Sequence, residues 1–116
     1  MNAKGLIFTL GGVIADLDMG TAPGKPAFSQ KLVDDGAVSQ SELDGTRKNL
    51  KGLVATLKNT AEEKIEALVA EFDEELTAIL NKFNALGSGA NIEKFRLAQI
   101  MSGLAVTIMA KAGVKG

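Results

Sequence analysis

The sequence predicts an all-α protein, and three observations carry the expectation. Apolar residues return every three or four positions across residues 39–83, that stretch holds no proline, and Ser, Asn and Gly stand where helices start and stop. The expected architecture is a long amphipathic helix flanked by shorter apolar helices, closed as an antiparallel helical hairpin or bundle. Residues 1–116 read as a single all-helical domain, with a linker at 19–26 and a hinge at 87–90.

The first element spans 4–17. Its run GLIFTLGGVIA, residues 5–15, is apolar and uncharged, and it is too short for a bilayer, which takes about twenty residues. With Lys4 ahead of it the run outlines a minimal signal peptide. A single lysine makes a poor basic region, however, and Gly11-Gly12 interrupts the apolar core. An uncleaved chain in a cytoplasmic location is expected, with the run buried as a helix or, alternatively, a strand whose glycines allow close backbone approach. GLIFTLGGVIADLD also resembles the opening motif of haloacid-dehalogenase-type phosphatases, which usually reads FDLDGVIADTD. Thr9 and Gly11 stand where that family has its nucleophile and acid aspartates, so the groups that would run the chemistry are missing.

Residues 19–26 (MGTAPGKP) combine two prolines and two glycines, which end one element and begin another. Pro26 then suits the first position of a short helix over 26–35, closed by Gly36, with Phe28, Leu32 and Val33 as its apolar face.

The long element covers 39–83. Ser39 and Glu42 form a capping box at its start. Leu43, Leu50, Val54, Leu57, Ala61, Ile65, Leu68, Phe72, Leu76, Ile79 and Phe83 follow with a mean step of about 3.6 residues, the period of a straight helix. A continuous rod of that length would reach roughly 65 to 70 Å and would have to fold back or meet a partner. Asn59-Thr60 before Glu62-Glu63 offers a second capping signature. A continuous rod is the leading expectation and a break there the alternative. Gly45 and Gly52 each weaken the first half by about 1 kcal/mol relative to alanine. Arg47, Lys48, Lys51 and Lys58 lie in the first half, and Glu62, Glu63, Glu66, Glu71, Asp73, Glu74 and Glu75 in the second; the leading expectation is a solvated polar face with a few i to i+4 pairs such as Lys58 with Glu62, and the alternative is antiparallel pairing of two rods, which would set plus against minus. Leu68, Phe72, Leu76 and Ile79 are expected to anchor the rod on the final helix.

That final helix, 91–112, starts at Asn91 as cap, after the glycines at 87 and 89. It carries no charge over 97–110 and is apolar around most of its circumference, so it needs cover from other helices, a subunit contact or lipid. Small residues at Ala98, Ser102, Gly103 and Ala105 permit close helix approach. Lys111 and Lys115 suit the helix dipole and, equally, an anionic surface.

Composition narrows the chemistry. A net charge of -1 and five Phe as the entire aromatic set give no basic, stacking footprint for nucleic acid. Without cysteine there is no disulfide or thiolate, and without histidine the commonest general base and usual zinc ligand are absent. Most of the acidic group Glu71, Asp73, Glu74 and Glu75 falls off the apolar stripe. No catalytic, cofactor-binding or metal-binding residue is therefore assigned, and the chain does not read as an enzyme. The candidate functional residues are apolar contacts: Leu6, Ile7, Phe8, Leu10 and Ile14 in the first helix, and Leu97, Met101, Leu104 and Ile108 in the last.

The order of segments is similar to that of phasins, small helical proteins that coat polyhydroxyalkanoate granules. LIFTLGGVIA stands for their Gly-containing opening helix, and Leu32-Val33-Asp34-Asp35-Gly36 with Ser39 and Glu42 for a segment like LVxxGE. FDEELTAILNKFNALG, 72–87, stands for the end of the charged helix and its leucine-glycine hinge. The resemblance implies a non-catalytic coat that adsorbs to a hydrophobic polymer or lipid surface through apolar helix faces. The alternative is a self-assembling helical subunit of an oligomer, filament or virion-like assembly, in which Gly11, Gly12 and Gly103 serve close helix contacts. The expected partners are further copies of the chain and a hydrophobic granule or lipid surface.

Overall fold

A computed structural model of the chain describes residues 2–18, 28–86 and 90–113. The expected linker at 19–26, the helix start at Pro26, the glycines at 87 and 89, and Lys115 lie outside the described residues. Five helices are present: α1 (Ala3–Asp18), α2 (Phe28–Asp34), α3 (Gln40–Asn59), α4 (Glu62–Ala85) and α5 (Asn91–Lys111). The fold is all-α, with no strand among the described residues, so the N-terminal apolar run is a helix.

Local chemistry accounts for most of the boundaries. At the start of α3 the Ser39 hydroxyl accepts from the Glu42 amide at 3.0 Å, one half of the expected capping box. The Glu42 side chain turns away to Arg96 instead of closing the other half. At the end of α2, Gly36 takes φ +80°, its amide donates to Val33 O and the next amide donates to Leu32 O. Those paired bonds are a Schellman ending, which a glycine adopts without strain. Asn91 does not cap α5. The capping position is Ala90, without a side-chain bond, and Asn91 is already helical.

The continuous rod is corrected. Thr60 (φ -100°, ψ 147°) and Ala61 (φ -53°, ψ 135°) are extended and separate α3 from α4. Neither Asn59 nor Thr60 caps α4, whose capping position is Ala61. Glu62 and Glu63 then occupy the first turn, where the positive end of the helix dipole favours them. The break also puts Lys58 and Glu62 on different helices. The described residues extend 42 × 28 × 23 Å, too short for a rod of roughly 65 Å.

The two halves of the expected rod do not lie along each other. α1 and α5 each pack on both α3 and α4, the α3–α5 contact being the most extensive, and α2 touches α1, α3 and α5. Burial follows helical spacing in every long element. In α1 it is Ala3, Leu6, Leu10, Val13 and Leu17, and in α3 Leu43, Leu50, Leu53 and Leu57. In α4 it runs from Ile65 and Leu68 through Leu76 and Ile79 to Phe83, and in α5 from Phe95 and Ala98 through Met101 and Ala105 to Ile108. Each fully buried leucine contributes about 1.5–3 kcal/mol. Leu68, Leu76 and Ile79 are buried, whereas Phe72 is half-buried.

Helix ends are held by charge. Arg47 donates from Nη2 to Leu17 O at 3.0 Å, and its Nε lies 2.6 Å from Asp18 Oδ1 as an ion pair without hydrogen-bond alignment. Lys51 adds a second cation to Asp18 at 3.1 Å, and Ser29 Oγ donates to the same Leu17 carbonyl. At the other end of α1, the Ala3 amide donates to Glu66 Oε1 at 2.9 Å. Thus the basic half of the expected rod serves the C-terminus of α1 and the acidic half its N-terminus, as the helix dipole favours.

Candidate functional site

The nine apolar residues singled out in the sequence divide into three groups. Leu6, Leu10, Met101 and Ile108 are fully buried in the core. Ile7, Ile14, Leu97 and Leu104 are half-buried and pack against it. Phe8 projects outward, 85% exposed. The four buried side chains are therefore occupied inside the folded chain, and outward contact falls to other positions.

On α5 those positions are Ile92 (39% exposed), Ile100 (55%) and Val106 (47%), joined by exposed Gly103, Thr107 and Ala110. Periodicity explains why they share a side. Stepping by three or four from Arg96 leads to Ile100, Gly103 and Thr107, opposite the buried row. The Thr107 hydroxyl donates to Gly103 O at 3.3 Å, so its polar group is engaged by its own helix. On α1 the outward side carries Phe8, Gly11 and Gly12. A Cβ built on Gly11, Gly12 or Gly103 would meet nothing within 4 Å. The close approach expected of Gly11 and Gly12 is thus not made within the chain. It is made at Gly52, where a Cβ would come 3.1 Å from Met109 Sδ of α5. Ala98, Ser102 and Ala105 are buried on the same helix, and Asn49 Nδ2 donates to Ser102 Oγ at 2.8 Å across the α3–α5 contact.

The outward side of α5 continues into a groove of about 510 Å³ between the end of α4 and the first half of α5. Its apolar lining is Ala85, Leu86, Ile92, Leu97 and Ile100, and its charged lining is Lys82, Glu93 and Arg96. Arg96 is engaged by Glu42 Oε2 at 3.2 Å and Gln99 Oε1 at 2.6 Å. The other cations of α5 also have neighbours. Lys94 stands 5.9 Å from the ring centres of both Phe28 and Phe83. Lys111 reaches Glu71 Oε1 at 2.6 Å and lies 5.4 Å over Phe72. Lys111 is thereby engaged inside the chain.

A second cleft, about 310 Å³, lies between α1 and the end of α4, with Phe8, Phe83, Thr9, Asp16 and Asn84 in its lining. The Thr9 hydroxyl donates to Gly5 O at 2.8 Å. That lining brings one carboxylate and one amide beside two aromatic rings, without the second acid that proton transfer between paired carboxylates uses. Among the described residues, no helix is long and apolar enough to cross a membrane.

Sequence reasoning passed over Ile92, Ile100 and Val106 because the last helix has almost no polar face to orient it. The signal that finds them is the charge at Glu93 and Arg96, which marks the wet side and can be continued along the helix. No protein-family model matches the chain, nor does any curated protein or solved structure, so the reading of these faces rests on their own chemistry.

Proposed function

We propose that the chain is a non-catalytic structural protein, a self-assembling helical subunit whose copies meet through the outward side of α5. The observation that carries this reading is the exposure of Ile100 and Val106, 55% and 47%, within a segment that has no charge over 97–110. A helix already packed on one side is left apolar on the other, and apolar surface of that kind gains free energy when a partner covers it.

The test uses lysine on the outward side. Ile100→Lys with Val106→Lys is expected to keep the helical circular-dichroism signal and melting temperature while reducing the mass in detergent-free buffer to that of a monomer. Ile108→Lys buries a charge in the core and is expected to unfold the chain instead. An unchanged oligomeric mass in the Ile100 and Val106 double variant would refute the reading.

A second reading, a phasin-like coat on a hydrophobic polymer or lipid surface, draws support from Phe8 on α1, 85% exposed beside the open Gly11 and Gly12. The engaged cations of α5 favour a neutral surface over an anionic one. Under either reading the chain works in the cytoplasm. Flotation with phosphatidylcholine liposomes separates the two: a discrete oligomer that ignores them supports assembly, and a monomer that floats with them supports the coat.

A further inference from the structure

We infer that the groove between α4 and α5 is the seat of a twofold contact between two copies of this chain, with Lys82 of each subunit facing Glu93 of the partner subunit. The inference rests on the assembly reading and deepens it by naming the partner and the register.

Charge carries the argument. Lys82 comes from the last turn of α4 and Glu93 from the first turn of α5, and both line the same groove. Both are exposed, and among the described residues neither has an ion-pair partner. Arg96, the third charged residue of the lining, is already engaged by Glu42. An occupant that complements the groove brings apolar groups for Leu86, Ile92, Leu97 and Ile100, together with one anion for Lys82 and one cation for Glu93. A second copy turned about a twofold axis brings that set by symmetry, because in an isologous contact each pairing is repeated in reverse. Lys82 meets Glu93 of the partner subunit, Glu93 meets the partner's Lys82, and Ile92 and Ile100 from both subunits lie between. A lipid surface supplies apolar groups but not the ordered pair of opposite charges.

The geometry makes a demanding prediction for charge reversal. Lys82→Glu alone sets two carboxylates against each other at both ends of the contact, and Glu93→Lys alone sets two ammonium groups against each other. Each single variant is expected to raise the dissociation constant of the dimer at least about tenfold, measured by sedimentation equilibrium. Mixed together, the two variants pair glutamate with lysine at both positions, so a heterodimer with near wild-type affinity is expected from chains that do not self-associate. Circular dichroism checks folding. If either reversal unfolds the chain, Lys82→Gln and Glu93→Gln serve in its place, each weakening the dimer and reducing its dependence on salt. A wild-type chain that is monomeric at high concentration overturns the assembly reading and this inference with it. A wild-type oligomer that is dispersed by Ile100→Lys with Val106→Lys, yet ignores both charge reversals, leaves the assembly reading standing and overturns the groove contact alone.

Discussion

Asn49 and Ser102 illustrate how much a single polar pair decides. Their 2.8 Å bond crosses the contact between α3 and α5 and is partly buried. Ser102→Ala would leave the Asn49 amide without that acceptor, an expected loss of about 1–2 kcal/mol in urea denaturation, and Asn49→Leu added to it should recover part of the loss. Strictly additive losses would mean that the bond itself contributes nothing. Phe72 argues in the other direction. Full burial would make Phe72→Ala cost about 3 to 5 kcal/mol, but the ring is half-buried beneath the Lys111 ammonium. About 1–2 kcal/mol is expected, with the melting temperature as the check. Sequence spacing could not separate Leu6 from Phe8 as contact residues. Over the uncharged run 5–15 almost every side is apolar, and the buried side is chosen by the neighbours, here α2, α3 and α4.

At the scale of elements, helix periodicity placed both ends of α1 and of α5, the start of α3 and the end of α4 within a residue or two. The break at Thr60-Ala61 was less legible, since Ala61 continues the apolar stripe and the residues that signal a cap do not make one. The two glycines of α3, alike in the sequence, differ in the fold. Gly45 has open space around its Cα, so Gly45→Ala should stabilise α3 by roughly 1 kcal/mol through propensity alone. Gly52→Ala should gain less, because Met109 must give way at 3.1 Å. Equal gains in thermal denaturation would show that the Gly52 approach is slack.

For the molecule as a whole, the outer pair α1 and α5 joins α3 to α4, and charge fixes the ends of α1. Arg47→Met removes one donor to Leu17 O and one of the two cations on Asp18, leaving Ser29 and Lys51 in place. Both groups are partly solvated, which discounts the loss to about 1 kcal/mol. Faster hydrogen exchange is expected in the last turn of α1, with the centre of α3 unaffected. Uniform acceleration across all helices would mean that α1 does not open separately from the rest. The all-α class was visible from spacing. Which helices become neighbours was not, because charge segregation along the expected rod suggested pairing with another rod, whereas the charges are used at the ends of short helices.

The dominance of the α3–α5 contact bears on synthesis. The side of α3 that holds Asn49 and Gly52 is covered by a helix about fifty positions later in the chain, as the Asn49–Ser102 bond and the Gly52–Met109 approach illustrate. At ~5–20 residues per second, a ribosome takes roughly three to ten seconds to travel from the end of α3 to the end of α5. During that interval α3 is complete while its main cover is missing, and the nascent chain presents an apolar strip to whatever chaperone or neighbouring chain is at hand.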